Sequence, residues 1–451
     1  MRLSKYLKGC TEVYHTTLDP RKASAVRIHL IPPKKPKAGI PWVVVLNGYS
    51  ILPLQTSWAV LLKEFMSALN ETKGNALTDL DIEHLIDKTL VQVRAIFKYA
   101  KEEDLKEDLG QIVETIKDIA FGKEPNEDIG YMTLSKYAKY MKAPHRMDIM
   151  VSAMEKNGRW NCNQHCLHCY ASCEAMASTK ELSTEEWKHI IDVCRKACIP
   201  SLTFTGGEAT LREDLVELVE YSKWFVTRLN TNGILLTRDL CDKLYEASLD
   251  SVQVTLYSSI EDIHNTLVGG KHFKETVTGI QNAIAAGLDV SINTPLCSLN
   301  KDYLETLKFA SQLGVKYFSC SGLIPSGNAM KENSLGTALS KKEILQIVKE
   351  AVSFVRENEM DLSFTSPGWI SEQELRKLKL VVPSCGACLS NMAVAPNGDV
   401  IACQSWLNGS SFGNLLKDDW EEIWNHKDCV KIRQRAILKK ETCLLGEEER
   451  K

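Results

Sequence analysis

The chain has 451 residues, a length that accommodates two or three domains. Hydrophobic residues make up 44% and charged residues 25%, an ordinary globular composition that excludes a wholly disordered or fibrous chain. The formal net charge of -3 gives no general electrostatic basis for nucleic-acid binding, and no apolar run reaches the roughly 18–20 residues that span a bilayer. We therefore expect neither nucleic acid nor a membrane among the partners.

Cysteine is the one residue type with an abnormal count, 15 in the chain. Residues 1–10 carry charges with no apolar segment after them, so no secretory signal is visible and a cytoplasmic protein is expected. In that setting, an odd number of cysteines in tight local clusters favours metal binding over disulfides.

Residues 1–144 predict an α+β domain. β-Branched and apolar side chains predict strands at residues 25–30 and 42–46. Asn47-Gly48 then signals a hairpin turn. Helices are expected from a cap at Thr56 or Ser57, over residues 79–101, and over residues 110–121. Two interpretations stay open: a small cap domain, or a peptide-binding module whose exposed strand edge pairs with an extended ligand.

Residues 145–335 alternate between strand patterns and amphipathic helix patterns. The expected strands are residues 148–154, 201–205, 225–229, 251–256, 289–294 and 316–321. Such alternation predicts parallel strands joined by right-handed crossovers, in an incomplete barrel or an open sheet. The remaining residues, 336–451, begin with a helix and continue into a cysteine-rich stretch, so we expect a third domain there.

The spacing Cys162-x3-Cys166-x2-Cys169 is the strongest signal in the chain. It follows the first of these strands, where a loop would cross the C-terminal mouth of a barrel. Three thiolates so close together can wrap a soft centre, either an iron–sulfur cluster or zinc. A four-iron cluster would keep one iron open, whereas structural zinc needs a fourth protein ligand, which His165 or His168 could supply.

With this motif the chain resembles the radical S-adenosylmethionine (SAM) superfamily. Tyr170 takes the usual aromatic position after the last cysteine, and Thr205-Gly206-Gly207-Glu208 ends the next strand. The resemblance implies a partial (β/α)6 barrel and a SAM-binding 4Fe–4S cluster held by the three cysteines. It also implies reductive cleavage of SAM to a 5′-deoxyadenosyl radical, for which the cofactor supplies the difficult chemistry.

The same resemblance implies a set of SAM contacts. Two glycines let the backbone approach a ligand closely, and the carboxylate after them can accept from the SAM ammonium. The residues implied to bind SAM are Tyr170, Gly206, Gly207, Glu208, Asn232, Ser258 and Asn293. No arginine is assigned to the SAM carboxylate, and no residue is assigned a catalytic role.

A second group of cysteines lies near the C-terminus. Its members are Cys385, Cys388, Cys403, Cys429 and Cys443. The turn sequence Asn397-Gly398 folds the chain so that Cys403 returns toward Cys388. The group indicates a second metal centre, with a zinc ribbon as the alternative to an iron–sulfur cluster.

This segment resembles the auxiliary-cluster domains called SPASM and twitch, through the order Cys388, Gly398, Cys403 and the later Trp420 and Trp424. The resemblance implies a small C-terminal iron–sulfur domain with one or more auxiliary clusters of the 4Fe–4S type. The chain has fewer cysteines than a full SPASM domain, so one auxiliary cluster is expected and a second, partly ligated one stays open. The expected ligands are Cys385, Cys388 and Cys403, with Cys429 or Cys443 as the fourth.

With such a C-terminal domain, the chain resembles radical SAM maturases of ribosomally synthesised peptides. The resemblance implies that residues 1–144 form a winged-helix-like recognition domain for a leader peptide, and that the partners are a precursor peptide and an electron donor such as flavodoxin or ferredoxin. A thioether crosslink is the first choice of product, on the resemblance alone. The alternatives are a carbon–carbon crosslink, an oxidised residue, a small-molecule or protein substrate, and a non-enzymatic zinc-binding adaptor.

Overall fold

The computed structural model describes residues 3–18, 26–48, 50–72, 77–120, 134–152, 161–172, 180–407, 409–438 and 442–445. The chain separates into two compact units, one formed by Met1–Ala143 with Arg195–Pro200 and the other by Pro144–Cys194 with Ser201–Lys451. Among the described helices, none is long and apolar enough to cross a membrane.

The first unit is built on an antiparallel sheet of four strands in the order β1-β2-β3-β4. The strands are β1 (Tyr14–Leu18), β2 (Val26–Ile31), β3 (Trp42–Leu46) and β4 (Ser50–Leu54). The hairpin predicted at Asn47-Gly48 is confirmed, since Leu46 pairs with Ser50. Asn47 and Gly48 adopt φ values of 48° and 77°, the positive φ that tight hairpin turns require.

Helices of the first unit share one apolar core with this sheet, in which Trp42, Met66 and Val93 are almost fully buried. The helices are α1 (Leu3–Lys8), α2 (Thr56–Asn70), α3 (Asp79–Ile96), α4 (Glu102–Ala120) and α5 (Leu134–Tyr137), with a 3-10 turn at Ala138–Tyr140. Residues of α1, α2, α3 and α4 belong to this core, and burial of their apolar side chains against the sheet stabilises the α+β arrangement.

Helix ends in this unit differ from the predicted ones. Gln55 is the N-cap of α2 and makes no side-chain cap bond, so the cap predicted at Thr56 or Ser57 is wrong. The helix predicted over residues 79–101 ends at Ile96, because Phe97 leaves helical geometry with φ -106° and ψ 78°. Apolar periodicity locates a helix better than it locates the residues that end it.

The second unit is built on a nine-stranded sheet in the order β11-β10-β9-β8-β7-β6-β5-β12-β13. The strands are β5 (Arg146–Ser152), β6 (Ser201–Gly206), β7 (Val226–Thr231), β8 (Ser251–Thr255), β9 (Asp289–Pro295), β10 (Tyr317–Ser321), β11 (Asp361–Phe364), β12 (Asn391–Val394) and β13 (Val400–Ile401). All neighbours pair in parallel except β12 and β13, which form an antiparallel hairpin. The predicted parallel core of six consecutive strands is therefore confirmed, and β12 continues it on the far side of β5.

Helices connect the parallel strands, as right-handed crossovers require. They are α6 (Thr184–Lys196), α7 (Leu215–Tyr221), α8 (Arg238–Glu246), α9 (Glu261–Val268), α10 (Phe273–Ala285), α11 (Tyr303–Gln312), α12 (Glu332–Leu335), α13 (Lys341–Glu357) and α14 (Glu372–Lys377). Two further helices, α15 (Trp420–Trp424) and α16 (Lys427–Leu438), follow the last strand, β13. Short 3-10 turns occupy Ala209–Leu211, Ser298–Asn300 and Gly327–Met330.

The two faces of this sheet differ in chemistry. Apolar side chains such as Phe204, Leu229 and Val254 are fully buried, as expected where helices cover a sheet. The alternate positions along the same strands are polar, and we call them the inner face: Thr203, Arg228, Asn230, Gln253, Ser291, Asn293 and Ser319. Gln253 of β8 reaches Ser319 of β10 across the intervening strand, with Nε2 and Oγ 3.5 Å apart, so side chains of this face converge.

Candidate functional site

The loop that carries Cys162, Cys166 and Cys169 is held by backbone hydrogen bonds to the end of α9. The His165 N–H donates to the Val268 carbonyl at 3.0 Å, and the Leu167 N–H donates to the Leu267 carbonyl at 2.9 Å. These bonds satisfy two of the terminal carbonyls that every helix leaves unpaired. A helix end thus fixes the loop from one side.

A second segment fixes the same loop from another direction. The Asn328 N–H donates to the Cys169 carbonyl at 2.8 Å, and Asn328 Nδ2 donates to the Cys166 carbonyl at 3.1 Å. Gly327 makes this approach possible, because it has φ 58° and an added Cβ would lie 2.5 Å from the Cys169 oxygen and 2.7 Å from the Tyr170 oxygen.

The three thiols of this loop lie close to one another and are shielded from solvent. Burial raises the pKa of Cys162 to about 12, with the Glu208 carboxylate adding to the effect, and burial raises the pKa of Cys169 to about 11. Burial also raises the pKa of Cys166 well above its usual value, helped by Cys169 and Cys162. Every cysteine among the described residues is a free thiol, so disulfides do not occupy these sulfurs.

Unpaired polar atoms surround the same loop. Within the described part of the chain, four buried atoms here have no hydrogen-bond partner: Ser152 Oγ, Gln164 Nε2, His168 Nδ1 and Asn328 Oδ1. Buried polar atoms normally find partners, so such a group indicates a polar ligand that would complete them. Three thiols beside a polar cradle fit an iron–sulfur cluster together with SAM.

His168 is one of the two histidines offered as a fourth zinc ligand at this loop. Its Nε2 is bonded to Thr337 Oγ1 at 2.7 Å, and burial lowers the pKa of His168 to about 4, so its imidazole is neutral near pH 7. Among the residues with described positions, no three His, Cys, Asp or Glu side chains group tightly enough to hold a single metal ion.

Gly206, Gly207 and Glu208 end β6 directly beside β5. Gly206 has φ 142°, and an added Cβ would meet Ser152 atoms at 2.5 to 2.9 Å, so only glycine fits here. The Gly207 N–H donates to the Ser152 carbonyl at 3.4 Å. Two strands therefore come together at the point where the glycine segment was predicted to expose its backbone to SAM.

The Glu208 side chain is buried and accepts four hydrogen bonds. Its Oε1 accepts from Thr210 N–H at 3.0 Å, from Thr210 Oγ1 at 2.6 Å and from Thr231 Oγ1 at 2.7 Å. Its Oε2 accepts from Asn232 N–H at 2.8 Å. The carboxylate thus ties the end of β6 to the end of β7, a role that the glycine–glycine–glutamate pattern did not reveal.

Asn232 extends this network to the cysteine loop. Its Nδ2 donates to Asn163 Oδ1 at 2.6 Å and lies 3.9 Å from Cys162 Sγ. Burial raises the pKa of Tyr170. Tyr170 neighbours Cys169 and forms a side-chain hydrogen bond with Thr205. Tyr170, the glycine segment, Glu208 and Asn232 are thus all near the first cysteine group.

Two further predicted SAM contacts lie on later strands. Ser258 follows β8 and is fully buried, and its Oγ accepts from Ile260 N–H at 3.0 Å. Asn293 lies on the inner face of β9, where its Oδ1 accepts from Ser319 Oγ at 2.9 Å. Both side chains already have partners, so a role toward SAM stays a prediction.

The second cysteine group is assembled by the β12–β13 hairpin. The predicted turn is confirmed, with Gly398 at φ 89° and Val394 paired with Val400. The Cys388 N–H donates to the Ala402 carbonyl at 3.2 Å, which returns Cys403 to the neighbourhood of Cys388.

Thiols of this group form two neighbourhoods. Burial raises the pKa of Cys403 to about 12, with Cys385 and Cys443 as nearby contributors. Burial, followed by a hydrogen bond with the Cys429 thiol, raises the pKa of Cys388, and the same hydrogen bond lowers the pKa of Cys429. Cys403 thus neighbours Cys385 and Cys443 and also acts on Cys388, whereas Cys429 is linked to this group through Cys388.

Sequence reasoning did not find three charged residues near these groups. Arg433 Nη2 lies 3.3 Å from Cys429 Sγ, and no local pattern marked it. Asp148 and Arg228 lie inside strands β5 and β7. The available signal for both was a charged residue placed inside a predicted strand.

Two segments of the chain match known families. Residues 161–310 match the radical SAM superfamily, and residues 385–444 match the SPASM family, an iron-sulfur cluster-binding domain. The chain therefore carries a radical SAM domain followed by a SPASM domain, which confirms the predicted resemblance. Together the two domains indicate iron–sulfur clusters and SAM binding.

Relatives of the chain carry names that point to different substrates. The AdoMet-dependent heme synthase of Methanosarcina barkeri is 27% identical over 297 residues, which cover 62% of this chain and 83% of the relative. Mycofactocin maturase MftC of Mycolicibacterium smegmatis is 27% identical over 277 residues, which cover 59% and 68%. These matches indicate a radical SAM enzyme of the oxidoreductase type and leave its substrate open.

Among solved structures, the chain is similar to SuiB of Streptococcus suis bound to its precursor peptide SuiA. The TM-score is 0.61 at 14% identity, covering 90% of this chain and 93% of SuiB. SuiB has also been solved bound to S-adenosylmethionine. At this identity the likeness shows the fold alone, and it confirms the predicted fold class.

Proposed function

We propose that the chain cleaves SAM reductively and uses the radical to modify a ribosomally synthesised peptide. Cys162, Cys166 and Cys169 would hold a 4Fe–4S cluster, because they share one half-buried loop lined by unpaired polar atoms. When cluster and SAM are bound, the chemistry supplied is one-electron cleavage of SAM to a 5′-deoxyadenosyl radical, with the electron from a flavodoxin or ferredoxin. The chain's own residues position SAM and shield it from water.

SAM would be held by the residues around this loop. The carbonyls of Gly206 and Gly207, at the end of β6, would accept from the SAM ammonium. Glu208 would act on SAM mainly by orienting Asn232. The auxiliary 4Fe–4S cluster would use Cys385, Cys403 and Cys388, with Cys443 favoured over Cys429 as the fourth ligand because Cys443 lies near Cys403.

The single observation that favours a peptide substrate is the four-stranded antiparallel sheet in residues 1–144, in which β1 and β4 are edge strands. Its last strand, β4, pairs only with β3 among the described strands. β4 contains Pro53, which a sheet tolerates where the ring nitrogen points away from the neighbouring strand. Ile51, two residues earlier, then points its N–H and C=O to the same outer side, where a leader could pair.

Leader binding tests this edge directly. In the full chain, Ile51→Pro removes the outward N–H and should weaken binding of the leader peptide at least tenfold, while SAM cleavage without peptide stays unchanged. Ile51→Val is the matched control and should bind normally. Fluorescence anisotropy of labelled leader would measure the affinities, and unchanged binding by Ile51→Pro would exclude leader pairing at β4.

Mass spectrometry of the precursor peptide tests the function as a whole. We expect reduced enzyme with SAM to remove two hydrogen atoms from the peptide encoded beside this chain's gene, as closure of a thioether from a thiol and a C–H bond requires. Loss of one alkylatable thiol would identify the thioether, and retention of all thiols would identify a carbon–carbon bond or an oxidised residue. An unmodified peptide beside continued SAM cleavage would instead favour a small-molecule substrate, as the heme synthase relative suggests.

A further inference from the structure

Arg228 is a cation on the inner face of the parallel core with no assigned role. It lies in β7 and is in register with Thr203 of β6, which is in register with Asp148 of β5. Strands in register direct equivalent side chains to the same face, so Arg228 and Asp148 face each other across Thr203. The pKa of Arg228 is lowered by burial and then by Arg146, while Asp148 opposes the effect, which places all three groups close together.

Among the described residues, Asp148 is the one carboxylate that acts on Arg228, and it is already paired with another arginine. Arg146 Nε lies 3.0 Å from Asp148 Oδ1, an ion pair whose angle is not that of a hydrogen bond. Among the described residues, no carboxylate lies within ion-pair distance of Arg228, and its hydrogen-bond partner is Ser251 Oγ at 3.5 Å. Two guanidinium groups and one carboxylate leave this layer with one positive charge in excess, and an unpaired, half-buried charge is costly.

Unpaired acceptors lie beside the excess cation. Asn230 Oδ1 is one position further along the inner face of β7, and Asp148 Oδ2 lies opposite. In the described structure, both atoms are buried without a hydrogen-bond partner. The site therefore offers a cation and two acceptors, and a complementary group carries negative charge with an N–H or O–H donor next to it.

The site also adjoins residues of both cysteine groups through Asp148. Asp148 acts electrostatically on Tyr170, which follows the first group, and on Cys403 of the second. A group bound by Arg228 beside Asp148 therefore lies on the face that Asp148 shares with these residues. Neither the SAM contacts nor the cysteine ligands use Arg228.

We propose that Arg228 binds a carboxylate of the substrate, with Asn230 and Asp148 accepting from a donor beside that carboxylate. The inference rests on the proposed function, since the carboxylate belongs to the molecule being modified. In a peptide, the carboxylate comes either from the C-terminus, which has an amide N–H next to it, or from an Asp or Glu side chain. Arg228 is then a substrate-binding residue that sets which end of the substrate faces the radical.

Small probes test this site without the precursor peptide. We would titrate the cluster-loaded, SAM-bound enzyme with N-acetylglycine, with the α-amide of N-acetylaspartate, and with neutral N-acetylglycinamide, using saturation-transfer NMR. At least one carboxylate should bind saturably, tenfold or more tightly than the neutral amide. The first probe represents a C-terminus and the second represents an acidic side chain, so their order identifies the source.

Arginine variants show whether the binding depends on this residue. Arg228→Gln should weaken carboxylate binding at least tenfold, and Arg228→Lys should retain part of it. Arg238→Gln, which alters a surface ion pair with Asp242, should leave binding unchanged. Iron content and SAM binding would establish that each variant is folded.

Three results would overturn the proposal: no carboxylate binding by the wild type, equal binding by Arg228→Gln, or equal binding of the neutral amide. The readout is independent of peptide modification. Arg228-dependent probe binding with an unmodified peptide would reject the peptide substrate and keep the carboxylate site. A modified peptide without probe binding would keep the peptide substrate and reject the carboxylate site.

Discussion

At the scale of single residues, Glu208 organises the site through hydrogen bonds that only a carboxylate can accept. Four donors from Thr210, Thr231 and Asn232 point at its two oxygens. A glutamine would direct an NH2 group at one of these donors and leave a buried pair unsatisfied, which costs about 1–3 kcal/mol. We therefore expect Glu208→Gln to lower the free energy of unfolding by that amount.

The same variant should also lower 5′-deoxyadenosine formation at least tenfold, because Asn232 loses the bond that positions it near Cys162. Chemical denaturation and chromatography of the nucleoside product would measure the two effects. Glu217→Gln, at an exposed ion pair with Lys188, is the control and should change neither quantity appreciably. Wild-type cleavage by Glu208→Gln would show that this network does not serve SAM.

His264 gives the protein a predictable dependence on pH. It is fully buried, its Nδ1 accepts from Tyr257 N–H at 3.4 Å, and burial, with His272 second, lowers its pKa from 6.5 to about 4. Above pH 6.5 the group is neutral in both the folded and unfolded states and contributes nothing. As the pH falls from 6.5 to about 4, the unfolded state takes up the proton first, so stability is lost.

The expected loss from His264 is about 1.4 kcal/mol per pH unit within that window. His264→Asn keeps an acceptor for Tyr257 N–H and removes the titration. In urea denaturation, the free energy of unfolding of His264→Asn minus that of the wild type should increase as the pH is lowered from 7 to 5. The increase should begin near pH 6.5 and follow the same slope. Parallel stability curves for the two proteins would contradict the assignment.

At the scale of elements, the cysteine loop depends on backbone contacts from α9 and from the turn at Gly327–Met330. Gly327→Ala would bring a Cβ to within 2.5 Å of the Cys169 oxygen. The atoms that this Cβ would meet, the Cys169 and Tyr170 oxygens, are both backbone atoms, so the loop must shift. We therefore expect the iron bound at this loop and SAM cleavage to fall severalfold. Gly39→Ala is the matched control, with φ 81° and nothing within 4 Å of its added Cβ.

Iron analysis and 5′-deoxyadenosine formation would compare these two glycine variants. Both substitutions place an alanine at a positive φ, which costs about 1 kcal/mol. A difference in iron content or cleavage between the two variants therefore reports the contact with the loop. Equal iron content and equal cleavage in the two variants would show that the Gly327 contact does not position the cysteines.

The elements themselves were largely predictable from local pattern. β3 was predicted at its observed bounds, and the six parallel strands followed from β-branched runs at regular spacing. β1, with the sequence YHTTL, was missed because its polar residues alternate without an apolar stripe. The helix break at Phe97 was missed because it depends on a backbone conformation that periodicity does not encode.

At the scale of the whole molecule, the sequence predicted which cysteines group locally but not which of them meet in space. The CxxxCxxC loop is one short segment, so its geometry follows from spacing. The approach of Cys388 to Cys429 depends on where α16 packs, and the approach of Asp148 to Arg228 depends on strand order and register. Such contacts become visible only once the chain is folded, because no local pattern links their partners.

The two cysteine groups come from different segments of the chain, which leads to the last prediction. The first group follows β5, and the second is assembled by the β12–β13 hairpin, so the expected ligands of each cluster can be changed without altering those of the other. We expect about eight irons per chain after anaerobic reconstitution, as two four-iron clusters require. Cys166→Ala should lose about four irons and all SAM cleavage. Cys403→Ala should also lose about four irons but keep some SAM cleavage.

Cys194→Ala serves as the control for these variants, because Cys194 is a buried thiol of α6 outside both groups and should keep full iron. Iron and sulfide assays, electron paramagnetic resonance of the reduced proteins and nucleoside chromatography would report the result. Stoichiometric zinc without iron would remove the enzyme interpretation altogether. Cleavage by Cys166→Ala at the wild-type rate would instead mean that SAM is activated elsewhere, since an alanine cannot replace a thiolate on iron.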